Sequence, residues 1–381
     1  MALDENITPT DEQNNAINAI VAWYKDPYGK QEFYLAGYAG TGKSVTVSFV
    51  INELKRKCRV KNVYTATYTG KAASVLRNKG VDAQTIHGLI YVPVIDEKTK
   101  ELIGFVKSGD SPAYQADLII LDECSMVDDK IADDLRSFRK KILVIGDPGQ
   151  LPPIGGQGAF TRNTPDIFLS QIHRQSENSP ILMLATRARL GQAMPKFFDE
   201  DGVMVMPLSP DSLELIHVRE SQVICGTNKN RFNYTQQIRK RLGYYGDIPI
   251  AGERIICCRN NKPKALYNGL LGTLNSITVK PETYILDVHL DDYEHPTKAI
   301  EIDPVQFKNH FKDGKAVKLD YKKGIMNEFD WGYVITCHKA QGSSWENVTI
   351  IDDSSFMYDN KNAWLYTSLT RAEKGLTLLV R

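Results

Sequence analysis

The chain has 381 residues, of which 42% are hydrophobic and 24% charged, and 47 basic residues against 46 acidic ones leave a net charge of +1. This composition excludes a mainly disordered chain, and the length predicts two to three domains. Because a chain-wide basic field is absent, an anionic partner has to be held by local patches. The six cysteines form no Cys-x-x-Cys pair, so we expect neither a disulfide scaffold nor a zinc site.

Short apolar runs alternate with helical stretches along most of the chain. In the first half they lie at residues 32–36, 63–67, 118–121 and 141–145, and in the second half at residues 223–225, 333–336, 348–351 and 376–380. Continuously apolar strands that alternate with helices indicate parallel sheets covered on both faces. We therefore predict an α/β fold.

Two stretches interrupt this alternation. Residues 88–112 hold two short apolar runs around a polar stretch at 96–101, which predicts an inserted β-hairpin. Residues 275–330 show strand-like runs at 278–279, 284–290 and 316–319 without long helices. We predict a small all-β insertion there, and a long irregular insertion is the alternative.

A complete phosphate-binding loop pattern, G-x4-G-K-[ST], spans residues 37–44 between a predicted strand and a predicted helix. Glycines let backbone N–H groups surround phosphate oxygens, and the helix N-terminus adds a positive dipole end. Lys43 would neutralise phosphate charge and the Ser44 hydroxyl would ligate Mg²⁺. The expected nucleotide-binding residues are Gly37, Gly40, Thr41, Gly42, Lys43 and Ser44.

The run Leu118–Leu121 delivers two carboxylates, Asp122 and Glu123, at the end of a predicted strand. Ligands of open α/β sheets bind at that end of the strands. Asp122 would hold the magnesium shell, and Glu123 would orient and deprotonate the attacking water. The alternative is an acidic helix cap. Beside the phosphate loop, the pair predicts nucleotide hydrolysis.

Six further segments follow the order of the motifs of superfamily 1 helicases; they lie at 8–13, 65–73, 85–87, 144–153, 336–342 and 366–372. From residue 8 to residue 372 the chain therefore resembles these helicases. It is most similar to the RecD-like, 5′→3′ branch, superfamily 1B, which includes the Dda-like phage helicases. This similarity is carried by TIH at 85–87, DECSM at 122–126, His173-Arg174, Asn268-Gly269 and HKAQG at 338–342.

The resemblance implies two RecA-like parallel-sheet domains with two insertions. Residues 1–87 and 113–175 would form the first domain, with the hairpin 88–112 as an insertion that carries a pin. Residues 176–274 and 331–381 would form the second domain, with an SH3-like insertion at 275–330. The expected cofactors are ATP and Mg²⁺. We expect a cytoplasmic protein that does not bind membranes, located in the host cytoplasm if a phage encodes it.

The resemblance also assigns nucleotide roles. Arg174 and Arg371 match the arginines that reach the γ-phosphate, because a guanidinium stays charged and grips phosphate bidentately. Gln150 matches the glutamine that senses the γ-phosphate, and Gly342 matches the glycine of the fifth motif. Gln13 would pair with the adenine edge through its amide. The alternatives are a solvated loop for Gln150 and an ordinary polar position on an early helix for Gln13.

The DNA contacts implied by the same motifs are Thr67, Lys71, His87, Thr336, His338 and Lys339. Hydroxyl, imidazole and amine groups bond to phosphate without reading sequence. Phe105, on the far strand of the hairpin, resembles the pin that stacks against a duplex end. The alternative for Phe105 is a small hydrophobic cluster. Residues 308–323 hold six lysines against two aspartates, which read individually as a solvated face and jointly as a guide for the strand.

The motifs together predict an ATP-dependent DNA helicase that translocates 5′→3′ on single-stranded DNA. Single-stranded DNA and single-strand/duplex junctions would be its substrates. We expect a monomer on DNA, with single-stranded DNA-binding, replication or recombination proteins as candidate partners. The main rival is a translocase that displaces bound proteins without unwinding. A non-enzymatic DNA-binding subunit and an RNA substrate are further alternatives.

Overall fold

The computed structural model describes residues 8–78, 80–95, 102–153, 156, 158–171, 179–214, 216, 220–261, 264–304, 307 and 327–381. The chain divides into two compact units, Met1–Leu182 and Met183–Arg381. The division therefore falls a few residues after the predicted boundary at 175. Among the described helices, none is long and apolar enough to cross a membrane.

The first unit is a parallel sheet flanked by helices. Its helices are α1 (Asp11–Lys25), α2 (Lys43–Cys58), α3 (Gly70–Asn78), α4 (Ile86–Ile90) and α5 (Asp129–Arg136). Its strands are β1 (Glu32–Gly37), β2 (Val63–Thr67), β3 (Ala83–Thr85), β4 (Val92–Ile95), β5 (Leu102–Val106), β6 (Leu118–Asp122), β7 (Lys141–Gly146) and β8 (Ile167–Leu169).

Six of these strands form one sheet in the order β3-β2-β6-β7-β1-β8, and all its pairs are parallel. One face packs on Ile20 and Leu54 of α1 and α2. The other face packs on Ile131 and Leu135 of α5. The sheet is therefore buried on both sides, which explains why its strands read as continuous apolar runs.

Strands β4 and β5 form a separate antiparallel pair in which Pro93 lies opposite Phe105. The pair lies within the stretch predicted to form the inserted hairpin. The residues between the strands, 96–101, lie outside the described part of the chain.

The second unit contains a mixed sheet and an antiparallel sheet. Its helices are α6 (Pro180–Arg189), α7 (Pro210–Glu214), α8 (Asn228–Arg241), α9 (Cys337–Ala340) and α10 (Lys361–Leu369). Its strands are β9 (Phe198–Glu200), β10 (Val203–Pro207), β11 (Gln222–Cys225), β12 (Arg254–Cys257), β13 (Leu271–Val279), β14 (Tyr284–Leu290), β15 (Thr297–Ile302), β16 (Phe329–Trp331), β17 (Val334–Thr336), β18 (Trp345–Ile351) and β19 (Ala372–Val380).

The mixed sheet has the order β17-β11-β18-β19-β10-β9, and only its β10–β9 pair is antiparallel. Both units thus contain the predicted parallel sheet. In both, the helix-flanked strands direct their carboxyl ends to one edge, where ligands of such sheets bind.

The antiparallel sheet has the order β15-β14-β13-β12-β16. It begins at Arg254, so the predicted start of the all-β part at residue 275 is wrong. The reason is that β12 pairs with both β13 and β16, which makes it a central strand of this sheet. The strand predicted at 316–319 lies outside the described residues.

Two buried ion pairs join α8 to the antiparallel sheet. Arg239 Nε lies 2.6 Å from Glu253 Oε1, and the two side chains are 1% and 0% exposed. Arg231 pairs with Asp330 of β16 at 2.9 Å. Breaking a buried pair by removing one partner costs roughly 3–5 kcal/mol, so these pairs fix the sheet against the helix.

Candidate nucleotide site and nucleic-acid edge

The phosphate-binding loop follows β1 and opens α2 as the sequence predicts. At Gly37 an added Cβ would lie 2.6 Å from Thr41 Oγ1, so the backbone there approaches the loop too closely for a side chain. Gly40 and Gly42 have φ values of 80° and 75°, which favour glycine. Thr41 is buried and donates its hydroxyl to the Tyr38 carbonyl at 2.8 Å.

The first turn of α2 is arranged to receive an anion. Its N-cap is Gly42, which has no side chain that could accept a hydrogen bond from the first N–H groups of the helix. These N–H groups can therefore donate to an anion. Lys43 Nζ donates to the carbonyls of Gly37 and Tyr38 at 2.8 and 2.9 Å. Ser44 is exposed beside it. The ammonium, the hydroxyl and the helix end thus share one turn.

Asp122 ends β6, and Asp122 Oδ1 accepts a hydrogen bond from the Glu123 N–H at 2.9 Å. Glu123 has φ 53° and ψ 46°, a left-handed conformation that is uncommon for a non-glycine residue. Burial raises the pKa of the neighbouring Cys124 thiol, the charges of Asp122 and Glu123 raise it further, and Lys43 lowers it. In the sheet, only β7 lies between β6, which ends in Asp122, and β1, which leads into the phosphate loop, so the two motifs lie near each other at one edge.

The third motif follows β7. Gly146 ends the strand, and Asp147 is buried and accepts a hydrogen bond from the Gly149 N–H at 2.9 Å. Gln150 Oε1 is buried and has no hydrogen-bond partner among the described residues. A buried acceptor without a partner costs free energy, so a ligand or water that donates to Gln150 would be stabilised.

Gln13 is buried on the first turn of α1. Its side chain accepts from the Thr10 N–H at 3.0 Å, while the Gln13 N–H donates to Thr10 Oγ1 at 3.3 Å. This capping box shows that Gln13 has a local structural role. If Gln13 Oε1 also accepted a hydrogen bond from an adenine amino group, it would have to accept from that group and from the Thr10 N–H together.

The candidate DNA contacts of the first unit follow β2 and β3. Thr67 ends β2, is buried and donates its hydroxyl to the Thr69 carbonyl at 2.9 Å. Lys71 is 8% exposed near the start of α3. His87 is exposed on α4, and its ring lies 5.4 Å from the Tyr91 ring.

In the second unit, Thr336 caps the short helix α9 and accepts from the Lys339 N–H at 3.4 Å. Burial lowers the pKa of His338 below its ordinary value of 6.5. Lys339 Nζ lies 3.5 Å from Cys258 Sγ, a contact that no sequence pattern indicated. Gly342 follows the helix with φ 72°.

Arg371 lies between α10 and β19 and is 5% exposed. Its guanidinium donates to the carbonyls of Thr367 and Ser343, both at 3.0 Å, and to Thr370 Oγ1 at 3.2 Å. All three acceptors are neutral oxygens. A buried positive charge whose hydrogen-bond acceptors in the described part of the chain are neutral is stabilised by an added anion.

The side chains of two predicted site residues lie outside the described part of the structure. Arg174 lies at 172–178, outside the described residues. Phe105 has a described backbone on β5, but its side chain is not among the described ones.

The residues around the loop fit a nucleotide with a magnesium ion. The uncapped helix end, Lys43 and the acceptor without a partner on Gln150 suit phosphates and their bound water. Ser44 and Asp122 are the residues that would hold Mg²⁺ from the protein side, with the remaining oxygen ligands coming from phosphate and water. Among the described side chains, no group of three or more His, Cys, Asp or Glu residues could hold a metal ion by itself.

Fold and site together define a P-loop nucleotide-binding protein. A family model described as an AAA domain matches residues 9–203, and one described as a UvrD-like helicase C-terminal domain matches residues 332–379. Because the first model covers just over half of the chain, the chain belongs to this AAA-domain family.

Two relatives show how the match is distributed. The chain is 28% identical over 372 residues to the ATP-dependent RecD2 DNA helicase of Deinococcus radiodurans, covering 90% of this chain and 46% of that protein. It is 26% identical over 413 residues to the ATP-dependent DNA helicase Pif1 of Campylobacter jejuni, covering 91% of this chain and 88% of that protein. The chain thus spans less than half of the first relative and most of the second.

Solved structures share the fold. A Pif1 structure described as two coordinating helicases at forked double-stranded DNA gives a TM-score of 0.60 at 20% identity, covering 98% of this chain and 92% of that one. Bacteroides Pif1 bound to single-stranded DNA gives 0.57 with the same identity and coverage. At this identity the likeness concerns the fold alone.

Proposed function

We propose that this protein is an ATP-dependent DNA helicase that moves 5′→3′ along single-stranded DNA and separates duplex ahead of it. The observation that carries the proposal is the carboxyl edge of the first sheet. On that edge Thr85 lies opposite Thr67, and Thr67 lies opposite Asp122. Further along the same edge Gly146 lies opposite Ala36, one residue before the phosphate loop.

This edge holds two chemistries side by side. With neighbouring strands about 4.8 Å apart, the loop after β1 and Asp122 of β6 are separated by roughly 10 Å, the scale of a nucleotide triphosphate. The hydroxyls and amines after β2 and β3 suit a sugar–phosphate backbone without reading bases. The γ-phosphate and the bound single-stranded DNA would therefore lie within a few β-strands of each other, so that hydrolysis at one could alter contacts at the other.

Each residue has a proposed part in turnover. When bound, ATP with Mg²⁺ supplies the phosphoryl group that is transferred to water. Lys43 and Ser44 bind and orient the triphosphate with Asp122, and Glu123 takes a proton from the attacking water. Gln150 orients that water, and Arg174 and Arg371 offset negative charge at the γ-phosphate.

The 5′→3′ direction and the finer placement beside the Dda-like phage helicases rest on the motif resemblance. So do the SH3-like nature of the antiparallel sheet and the pin role of Phe105. The names of relatives are consistent with the substrate: the Deinococcus and Campylobacter proteins are called DNA helicases, and the Bacteroides structure holds single-stranded DNA.

The test is strand separation on two partial duplexes, one with a 5′ tail and one with a 3′ tail, in ATP and Mg²⁺. We expect unwinding of the 5′-tailed substrate alone, and loss of unwinding in Glu123→Gln, which keeps the size and the left-handed backbone of the residue. Unwinding of only the 3′-tailed substrate would overturn the direction and keep the chemistry. Intact DNA-stimulated ATPase without unwinding of either would select the protein-displacing translocase.

A further inference from the structure

The segment Ser354–Asn360, a 3₁₀ helix with a kink after β18, presents two aromatic rings to solvent. Phe356 is 49% exposed and Tyr358 is 88% exposed. Tyr358 also has φ 44° and ψ −119°, a conformation that side chains rarely adopt. Strain of this kind persists only where the surroundings enforce it, and it concentrates at ligand-binding positions.

A buried carboxylate holds this segment in place. Asp353 is 0% exposed, and its Oδ2 accepts from the Gly226 N–H and from Asn230 Nδ2, both at 2.9 Å. Its Oδ1 accepts from Arg381 at 2.9 Å. At Gly226 an added Cβ would lie 2.6 Å from Asp353 Cβ, so the Gly226 backbone packs directly against the Asp353 side chain. The hydrogen bonds of Asp353 therefore anchor the start of the segment that carries the two rings.

This anchor lies on the edge that carries the fifth-motif residues. Cys225 at the end of β11 lies opposite Thr336 at the end of β17, and Ile224 lies opposite Ile350 of β18. Two strand spacings, roughly 10 Å, separate the ends of β17 and β18. The rings and the fifth-motif residues therefore follow parallel strands at one edge of one sheet.

Cations accompany the rings. The Arg381 guanidinium carbon lies 5.5 Å from the centre of the Phe356 ring. Lys229 and Lys361 are exposed on the first turns of α8 and α10, which begin at the same edge. One cation therefore lies over a ring, and two more lie on helices that begin at this edge; proteins that bind single-stranded nucleic acid combine aromatic rings, on which bases stack, with cations that meet phosphates.

We infer that Tyr358, supported by Phe356, is a stacking platform for one base of the bound single strand and extends the track of Thr336, His338 and Lys339. This inference rests on the proposed function, since it names a further contact for the same substrate. Stacking does not read base identity, so the platform binds all four bases. Because Asp353 anchors this segment before DNA binds, less conformational entropy is lost when a base stacks on the ring.

The experiment measures binding of a fluorescent oligo-dT by anisotropy. We expect Tyr358→Ala to weaken binding about 5- to 100-fold, because one base–aromatic stack contributes roughly that factor. Tyr358→Phe keeps the ring and should bind like the wild type. Tyr28→Ala is the matched control, because Tyr28 is 97% exposed in the loop before β1, at the amino end of its sheet.

A single abasic site moved along the oligonucleotide locates the stack. The wild type should lose affinity strongly at one position, and Tyr358→Ala should lose nothing more there. Equal affinity of Tyr358→Ala and wild type, or the same abasic profile in both, would overturn the platform and leave the rings as a protein-docking surface.

Tyr358→Gly separates binding from folding. Glycine relieves the backbone strain, so Tm should rise by about 2 °C while oligo-dT affinity falls as in the alanine variant. A lower Tm would show that the ring supports the fold and would contradict the inference. Failure of ssDNA to stimulate ATPase in the wild type would sink the proposed function, whereas normal stimulation with an unaffected Tyr358→Ala variant would sink the platform alone.

Discussion

His338 combines burial with a proposed phosphate contact, and the two act on its proton in opposite directions. Burial lowers the pKa of the ring in the folded chain below its ordinary value of 6.5. The folded unit therefore binds this proton less well than the unfolded chain does, and its stability falls as the pH drops through 6.5 towards the lowered pKa. A phosphate beside the ring would favour the charged form instead.

We predict that proton uptake by His338 accompanies DNA binding. Affinity for oligo-dT at constant ionic strength should rise between pH 8 and pH 6, by up to about tenfold per pH unit. His338→Asn should show a smaller rise, because it keeps a hydrogen-bond donor but cannot gain the charge. Parallel pH profiles for the two proteins would remove His338 from the phosphate track.

The residues that sequence could predict are those whose chemistry depends on identity and spacing. Lys43, Ser44 and Asp122 stand where the phosphate loop and acidic strand predict them. What sequence could not indicate are contacts between distant segments. Three features depend on how separate strands come together: the left-handed backbone of Glu123, the hydrogen bonds that anchor Asp353, and the contact between Lys339 and Cys258.

Packing between elements is tight where β7 passes the turn after β6. A Cβ added at Gly146 would lie 2.6 Å from Cys124 Sγ, and Cys124 is fully buried. Overpacking of this kind costs roughly 1–3 kcal/mol, because neither the strand nor the turn can move away freely. The clash lies beside Asp122 and Glu123, so strain there would also disturb the acidic pair.

We predict that Gly146→Ala lowers both the free energy of unfolding and ATP turnover. Cys124→Ala in the same chain should restore much of the loss, because it removes the clashing sulfur. Urea unfolding and steady-state ATPase of the two single variants and the double variant measure the coupling. Additive losses in the double variant would show that the sulfur is not what constrains Gly146.

At the scale of elements, sequence was informative for central strands and weak for edge strands. The apolar run at 63–67 is β2, and the runs at 118–121 and 141–145 are β6 and β7 with one residue added. Strands β3 and β8 escaped prediction because three residues at a sheet edge show no burial pattern. β12 escaped because its partners β13 and β16 lie far along the chain.

For the whole molecule, the near balance of 47 basic and 46 acidic residues bears on how DNA is held. A balanced chain attracts a polyanion weakly at long range, so binding depends on short-range contacts in a confined track. Among the DNA contacts implied by the motifs only Lys71 and Lys339 are permanently cationic, and Arg381, Lys229 and Lys361 stand near the proposed aromatic platform. The remaining contacts are hydroxyls, imidazoles and aromatic rings, whose interactions release few counterions.

The salt dependence of binding should therefore be shallow. Each phosphate neutralised on a single strand contributes about −0.7 to the slope of log K against log salt, so the two motif lysines predict a slope of roughly −1.4 at pH 8, and roughly −3.5 if the three cations near the platform also meet phosphates. Oligo-dT anisotropy between about 50 and about 300 mM salt, a range that brackets the physiological value of about 150 mM, measures this slope. If the six lysines of residues 308–323 also met phosphates, they would add about −4 to this slope. A steep slope that Lys308→Gln, Lys312→Gln and Lys315→Gln together make shallow would assign the strand to that basic segment and would refute a track confined to the motif residues.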